Sequence, residues 1–192
     1  MDQETFKIEY RNIQPKDLDK IVRFSDRWIG KGYFRKAQLR DALLKGIRED
    51  INLNFVSVIG EKIIGIRLCY APGEWIELDD LDRLSPGSWG VEIPEVAYFK
   101  SLFVHEKYQG KGIGSKLSKL AIDQMKILET KAILAHAWQE SPGNSSRNYL
   151  KRMGFEEVAE HKKFWNLVDY ECTRCGPNQR CICTASEMIL KL

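Results

Sequence analysis

The 192-residue chain lacks a long hydrophobic run, because no stretch approaches the roughly 18 apolar residues that a membrane-spanning helix needs. Its first segment, MDQETFKIEY, has neither the basic start nor the apolar stretch of a secretory signal peptide. We therefore expect a cytoplasmic protein that has no membrane partner. Structural disulfides are rare in that reducing compartment, so clustered cysteines need another explanation.

The chain also lacks a large excess of charge of one sign, since 30 Lys and Arg residues oppose 27 Asp and Glu residues. The net charge of +3 gives no general argument for nucleic-acid binding. The charges are unevenly placed, however, because residues 72–95 contain seven acids and one base, Arg83. We expect an acidic insertion at about 72–95, whose two tryptophans, Trp75 and Trp89, either serve a ligand site or merely cover the core.

The length of 192 residues favours a single domain over residues 1–192, and apolar periodicity predicts a mixed α/β chain. The β-branched runs NLNFVSVIG and KIIGIRLCYA, joined at Gly60, predict a hairpin. The segments AYFKSLFV and KAILAHAW predict two further strands with a long amphipathic helix between them. Hairpins followed by an alternation of strand and helix favour a mostly antiparallel sheet flanked by helices.

The clearest chemical signal is the glycine-rich segment from Gln109 to Gly114, which lies between AYFKSLFV and the long helix. Three glycines in five residues make a poor helix start unless exposed backbone N–H groups are needed. Such a turn directs N–H groups and the positive end of the helix dipole at a ligand, and it suits a pyrophosphate. The segment matches neither GxxxxGK[ST] nor GxGxxG and has the form [QR]xxGx[GA].

With its flanking strand and helix, this segment resembles motif A of the GNAT superfamily of acetyl-CoA-dependent N-acetyltransferases. The stretch from Asn148 to Phe155, NYLKRMGF, resembles motif B of that family, in which a short helix ends in Gly-Phe. The element order over roughly residues 6–170 is also similar to the family fold. The resemblance implies a GNAT-like α/β (α+β) fold, with a mostly antiparallel twisted sheet that is splayed between its fourth and fifth strands.

The resemblance also implies which residues bind acetyl-CoA. Backbone amides of the glycine-rich turn would hold the pyrophosphate, and the preceding strand would offer its backbone to the pantetheine arm. Two asparagines at the start of the motif B helix would contact the coenzyme, although an N-cap is the ordinary role of Asn144. The implied coenzyme-binding residues are Leu102, Phe103, Val104, Gln109, Gly110, Lys111, Gly112, Ile113, Gly114, Ser115, Asn144 and Asn148.

Acetyl transfer to an amine requires a base that takes a proton from the ammonium group and an acid that protonates the leaving thiolate. Glu95, just before the strand AYFKSLFV, is the candidate base, with Glu92 as an alternative; an electrostatic or solvated role fits both equally well. Family members often carry a tyrosine four residues before the motif B glycine, but that position is Leu150 here. The neighbouring Tyr149 is the candidate acid if the helix is rotated; otherwise it packs in the core or lines the coenzyme groove.

The resemblance implies an N-acetyltransferase that moves an acetyl group from acetyl-CoA to a primary amine by direct attack in a ternary complex. The acceptor is a small-molecule or peptide amine, and the acidic insertion favours a cationic one. We expect an aromatic mouth made by Trp28, Tyr33 and Phe34 with Trp75 and Trp89 opposite. The alternative is a non-catalytic acetyl-CoA-binding or protein-interaction module with the same fold. A homodimer is compatible with the sequence, which does not decide the oligomeric state.

Four of the five cysteines fall within twelve residues: Cys172, Cys175, Cys181 and Cys183. CxxC and CxC arms separated by a turn can surround one tetrahedral Zn²⁺. Disulfides, a redox pair and an iron–sulfur centre are the alternatives; compartment and compactness favour zinc, with His161 as a spare ligand. Four thiolates leave no open coordination position, so we expect a structural clip at 172–183 in the terminal hairpin. Only Arg174 and Arg180 lie nearby as bases, which argues against nucleic acid.

Overall fold

The computed structural model describes residues 7–76 and 83–192, which form nine strands and four α-helices. The strands are β1 (Glu9–Asn12), β2 (Ile47–Arg48), β3 (Ile51–Asn52), β4 (Phe55–Ile59), β5 (Lys62–Tyr70), β6 (Val96–Val104), β7 (Ala132–Trp138), β8 (Glu156–His161) and β9 (Ala185–Lys191). The helices are α1 (Leu18–Trp28), α2 (Lys36–Leu44), α3 (Ile113–Ile127) and α4 (Ser145–Arg152). Among the described residues, no helix has the length and apolarity to cross a membrane.

Seven strands form one sheet in the order β1-β4-β5-β6-β7-β9-β8, while β2 and β3 form a separate small hairpin. Neighbours in the large sheet are antiparallel except β6 and β7, which are parallel. The prediction of a mixed, mostly antiparallel sheet is confirmed, including the hairpin at Gly60, where Ile59 faces Lys62. The β2–β3 hairpin was not predicted, because two-residue strands are too short to show an alternating pattern.

Strands β6 and β7 are hydrogen-bonded over only part of their length. Their last paired residues are Phe99 and Ala135, whereas β6 continues to Val104 and β7 continues to Trp138. In the described chain, neither continuation pairs with a strand across the resulting gap. In chain order these are the fourth and fifth strands of the large sheet, so the splay implied by the family resemblance is confirmed at this position.

Helices α3 and α4 cover the first face of the sheet. Ile113 and Leu117, four residues apart on α3, pack in one core cluster with Phe99 of β6 and Leu150 of α4. Gly65 of β5 lets α3 approach closely, because a Cβ atom there would lie 3.2 Å from the Leu117 side chain and 3.3 Å from that of Ile113. The start of α3 is thereby fixed beside β5 and β6.

Helices α1 and α2 cover one half of the second face. Ile21 of α1 and Leu39 of α2 are fully buried against Ile66 and Leu68 of β5. Burying apolar side chains of this size contributes roughly 1.5–3 kcal/mol each. The loop between the two helices is thus placed along the sheet, next to β6.

The segment between β5 and β6 covers the other half of the second face. Trp89 is completely buried, Trp75 is 8% exposed, and the Trp75 ring stacks on Tyr98 of β6 at 4.7 Å. The two tryptophans therefore cover the core, which was one of the two expected roles. Four acids of the predicted acidic insertion lie outside the described residues: Glu77, Asp79, Asp80 and Asp82.

Candidate active site

The glycine-rich turn leads from β6 into α3. Gly110 and Gly112 have φ angles of 73° and 77°, and Gly112 is the N-cap residue of α3. The first three helical residues, from Ile113 to Ser115, have N–H groups without an acceptor inside the helix. Unpaired N–H groups at the positive end of a helix dipole can hold an anionic group. This is the geometry that the sequence predicted for a pyrophosphate-binding turn.

The turn is fastened to the end of β6. A Cβ atom on Gly114 would lie 3.2 Å from Leu102 and 3.7 Å from Val104, so glycine allows the helix start to sit directly on the strand. The Gln109 side-chain Nε2 donates a hydrogen bond to the Val104 carbonyl at 2.9 Å. The turn and the free edge of β6 therefore form one continuous surface.

That free edge belongs to the residues predicted to meet the pantetheine arm, Leu102 to Val104. Their other edge pairs with β5, where Leu102 faces Arg67 and Val104 faces Gly65. The structure thus brings the strand residues and the turn residues together at the gap between β6 and β7. Their binding of acetyl-CoA stays a prediction.

Asn144 and Asn148 lie at the start of α4. Asn144 has a left-handed backbone with φ of 51°, and its side chain makes no capping hydrogen bond. Its Oδ1 atom is buried without a hydrogen-bond partner in the described residues. Asn148 donates a hydrogen bond from Nδ2 to the Gly143 carbonyl at 3.2 Å. The ordinary N-cap role is therefore absent for Asn144, and the coenzyme contact of both residues stays a prediction.

Tyr149 connects α4 to α3. Its hydroxyl lies 2.7 Å from Ser118 Oγ and 3.2 Å from the Gly114 carbonyl oxygen. Ser118 Oγ in turn accepts a hydrogen bond from the buried Arg67 guanidinium at 2.6 Å. The Tyr149 hydroxyl thus braces the first turns of α3 under the glycine-rich turn. No described contact links the Tyr149 hydroxyl to the place where the pairing of β6 and β7 ends. Its role as general acid therefore stays a prediction.

Glu95 lies immediately before β6, at the end of the strand remote from the turn. Its carbonyl accepts a hydrogen bond from the Lys131 N–H at 3.1 Å, and its carboxylate accepts one from the Glu92 N–H at 3.3 Å. Phe99, where the gap begins, lies four positions after Glu95, which corresponds to about 13 Å along a strand. The structure does not bring the Glu95 side chain to the gap, and its role as base stays a prediction without a supporting contact.

Tyr98 and His136 are the polar pair that the sequence reasoning missed. Tyr98 of β6 and His136 of β7 lie within one residue of the last strand pair, and the Tyr98 hydroxyl is 2.9 Å from His136 Nδ1. Burial raises the pKa of Tyr98, so its hydroxyl stays protonated at neutral pH. A partial signal was available for His136, which is the one ionisable residue in the apolar run AILAHAW, but none indicated its partner.

His136 belongs to a larger buried group of polar side chains. It is the cross-strand partner of Glu187 on β9, and Glu187 accepts a hydrogen bond from His161 Nε2 at 2.5 Å. The three side chains lie close enough to hold a metal ion. The direct contact between His161 and Glu187 is nevertheless a hydrogen bond, too short to be bridged by an ion. His161, the spare zinc ligand of the sequence analysis, is used here instead.

The loop between α1 and α2 meets the β8–β9 connection beside the separated part of β6. The Tyr33 hydroxyl lies 2.6 Å from Ser101 Oγ of β6, and the Tyr33 ring contacts the Tyr170 ring at 4.8 Å. The Glu171 N–H donates to the Lys31 carbonyl at 3.2 Å. We call these two segments, residues 29–34 and 170–171, the site mouth, because together they border the second-face side of the gap.

The aromatic mouth expected from the sequence is only partly correct. Tyr33 lies at the gap, but Phe34 is 6% exposed and Trp89 is fully buried, so both are core residues. Trp28 packs against His105 at 4.7 Å, beyond the end of β6. Tyr98 takes the central position, with Trp75 stacked behind it. The correction arises because side-chain burial depends on distant strands that the local sequence does not reveal.

The four clustered cysteines lie in the connection between β8 and β9, and their sulfur atoms are all within 4.8 Å of one another. Cys183 Sγ is 3.8 Å from Cys172 Sγ and 3.7 Å from Cys175 Sγ. These cysteines and Cys69 are free thiols, so the disulfide alternative finds no support. Sulfur atoms placed tetrahedrally at ~2.3 Å from a zinc ion are separated by about 3.8 Å, which matches the observed spacing.

Comparisons with known proteins place this geometry in a family. The model of the acetyltransferase (GNAT) family matches residues 21–155. The uncharacterized N-acetyltransferase MJ1207 of Methanocaldococcus jannaschii is 26% identical over 162 residues, which cover 82% of this chain. This chain spans only 65% of the length of that relative.

Two solved structures from Arabidopsis thaliana are also similar. NAA60 in complex with acetyl-CoA has a TM-score of 0.69 and 18% identity, with 97% of this chain and 100% of that chain covered. Naa50 in complex with the bisubstrate analogue CoA-Ac-MVNAL has a TM-score of 0.63 and 16% identity, with 96% and 99% covered. At these identities the likeness shows the fold alone.

A substitution at Gly30 tests the site mouth. A Cβ atom at Gly30 would lie 2.1 Å from the Glu171 carbonyl oxygen, so Gly30→Ala must push the two segments apart. Such overpacking costs about 1–3 kcal/mol of unfolding free energy. We expect limited proteolysis to cleave the 162–184 connection faster in Gly30→Ala than in the unmodified protein.

The matched control is Gly32→Ala in the same loop. Gly32 has φ of 80°, so alanine is strained there, but nothing lies within 4 Å of its Cβ position. We expect this variant to lose stability by a similar amount while the connection keeps its protease resistance. Equal cleavage of the connection in both variants would contradict the described contact.

Proposed function

The chain belongs to the GNAT acetyltransferase family, and from this premise we propose that it is an acyltransferase that moves the acetyl group of acetyl-CoA to a primary amine. One observation carries the proposal. The glycine-rich turn, the free edge of β6 and the Tyr98–His136 pair occupy consecutive positions along a single gap in the sheet. An extended thioester in that gap would have its phosphates at the turn and its acetyl group near the tyrosine.

The reaction is a direct attack in a ternary complex. The acceptor nitrogen forms a bond to the thioester carbonyl carbon, and the bond from that carbon to sulfur breaks. One proton leaves the ammonium group before the attack, and a second proton leaves nitrogen as the amide forms and neutralises the thiolate. Holding both substrates in one gap supplies the proximity that such a two-substrate reaction needs.

We assign the first proton transfer to Tyr98 and His136. Since burial keeps the Tyr98 hydroxyl protonated, Tyr98 acts as a relay: it takes the amine proton while giving its own to His136 Nδ1, 2.9 Å away. Burial lowers the pKa of His136, so its imidazole is neutral and able to accept a proton at neutral pH. We therefore propose this pair, rather than Glu95, as the base, because the pair lies at the gap.

The acceptor reaches this pair from the second face of the sheet, past the site mouth. Tyrosine side chains border that approach from three elements: Tyr33, Tyr98 and Tyr170. Naa50 was solved with an analogue that joins coenzyme A to the peptide MVNAL. We therefore include peptide α-amines, together with lysine side chains and polyamines, among the acceptors to test for this chain.

Release of free thiol from acetyl-CoA tests the proposed function. We expect turnover with at least one pool of primary amines and loss of turnover when the amines are acetylated beforehand. In Gly112→Ala the left-handed backbone is strained by about 1–2 kcal/mol, which displaces the turn amides. We expect its acetyl-CoA affinity to fall roughly tenfold or more.

Gly60→Ala is the control, because Gly60 also has a positive φ of 55° and open space around it but lies in the β4–β5 hairpin. It should bind acetyl-CoA like the unmodified protein. Saturable acetyl-CoA binding without thiol release from any amine pool would refute the enzyme and favour a non-catalytic binding protein.

We further propose that the four clustered cysteines hold a structural Zn²⁺. The donor set and the sulfur separations of 3.7 and 3.8 Å support this ion. With four thiolate ligands it would crosslink the long connection between β8 and β9 and take no part in acetyl transfer. The first cysteine of the cluster, Cys172, directly follows Tyr170 and Glu171 of the site mouth. The crosslink would therefore also stabilise the site mouth.

Metal analysis tests the zinc site. We expect about one equivalent of zinc in protein purified without added metal, and a large loss of metal in Cys175→Ser, because three thiolates bind zinc less tightly than four. Cys69→Ala is the control: Cys69 is buried in β5, away from the cluster, and should leave the zinc content unchanged. Less than roughly half an equivalent in the unmodified protein would contradict the proposal.

A further inference from the structure

Glu187 is a carboxylate without any solvent exposure, placed in the middle of β9. Its Oε1 atom accepts hydrogen bonds from Trp89 Nε1 at 2.5 Å and from the Ser85 N–H at 3.1 Å. Its Oε2 atom accepts one from His161 Nε2 at 2.5 Å. A buried carboxylate is expensive unless it is hydrogen-bonded in this way. Three donors from two chain segments, the stretch before β6 and β8, thus converge to keep Glu187 in one position.

Glu187 is also the charged group that faces His136. The two residues are register partners on β9 and β7, with His136 Nε2 3.8 Å from Glu187 Oε2. The His136 side chain is 2% exposed, and its Nε2 has no hydrogen-bond partner in the described residues. The opposite ring nitrogen, Nδ1, faces the Tyr98 hydroxyl. The imidazole therefore lies between a carboxylate on one side and the hydroxyl at the gap on the other.

Groups on several surrounding elements shift the pKa of His136, some downward and one upward. Burial lowers the pKa of His136, and Lys100 on β6 and His161 on β8 act in the same direction, whereas Glu187 raises it. Tyr98 faces it as a neutral hydroxyl. On the remaining side the ring of Phe164 is stacked on His136 at 4.2 Å, and the Arg83 guanidinium lies over that Phe164 ring, 4.9 Å from its centroid. Glu187 is the one negative charge in this set.

The ionisation of Glu187 itself is secured by its partners. Burial alone would raise the pKa of Glu187, but the interactions with His136, Trp89 and His161 outweigh burial and lower the pKa to about 2. The carboxylate is therefore an anion at neutral pH.

Resting on the proposed function, we propose that Glu187 is a positioning residue for acetyl transfer: it keeps the proton of neutral His136 on Nε2, leaving Nδ1 free to accept the proton relayed by Tyr98. When that proton arrives, the imidazole becomes a buried cation, and the carboxylate stabilises it. A carboxylate behind a catalytic imidazole has the same two effects in other enzymes. Because Trp89 and Ser85 hold this carboxylate in place, the segment from Ser85 to Trp89 would support the reaction indirectly.

The test is the pH dependence of turnover in Glu187→Gln. Glutamine keeps the size of the side chain and an acceptor for Trp89 but removes the charge. We expect kcat to fall by about 100-fold or more, with the KM for acetyl-CoA unchanged within roughly twofold. Because loss of the anion lowers the pKa of His136, the acidic limb of the kcat profile should move to lower pH. A merely structural role would not move that limb.

Asp17→Asn is the matched control. Asp17 is also a buried carboxylate, 1% exposed, but it pairs with Arg11 at 2.6 Å at the start of α1. It should lose stability while keeping the kcat profile of the unmodified protein. A Glu187→Gln variant with full kcat and an unmoved acidic limb would overturn the proposal.

A second measurement does not need turnover or a folded variant. In the unmodified protein, the ¹⁵N chemical shifts of His136 distinguish a proton on Nε2 from one on Nδ1; we expect Nε2, and Nδ1 would overturn the role of Glu187. If the unmodified protein releases no thiol, the proposed function is wrong. The His136 tautomer is measured independently of turnover, so it still tests whether Glu187 keeps the proton on Nε2.

Discussion

The site depends on where the hydrogen bonds between β6 and β7 end. Parallel strands that stayed paired to their ends would satisfy each other's backbone groups and leave no edge for a substrate. Here pairing stops after Phe99 and Ala135, and the strands diverge. The freed edge of β6 leads to the turn at Gly112, so the groove that we propose for the coenzyme runs from the end of the strand pairing to the N-terminus of α3.

The elements around this gap divide the work between the two faces of the sheet. On the first face, α3 sits directly on β6 through Gly114, and Tyr149 braces the helix from α4. On the second face, Trp89 fixes Glu187, which lies behind His136 and Tyr98. Our proposal thus assigns coenzyme recognition to the backbone of β6 and the turn, and proton transfer to buried side chains beside the point where the strands separate.

The sequence predicted those features that depend on neighbours along the chain. A strand, three glycines around Gly112 and an amphipathic helix are a local pattern, and so is the hairpin at Gly60. Tyr98 and His136 could not be paired from the sequence, since 38 positions separate them and strand register decides which side chains meet. Trp89 was expected at the mouth because nothing near it indicates that its partner, Glu187, lies 98 positions away. The cysteine cluster was predictable because its spacing alone brings the four sulfur atoms together.

The central claim is that acetyl-CoA binds along the gap between β6 and β7, and hydrogen exchange with and without acetyl-CoA tests it most directly. The account predicts slower exchange of the amides from Gly110 to Ser115 and of those in Leu102–Val104 that face the gap, with unchanged exchange in β1. Protection at another surface, with the exchange of the turn and of β6 unchanged, would contradict it.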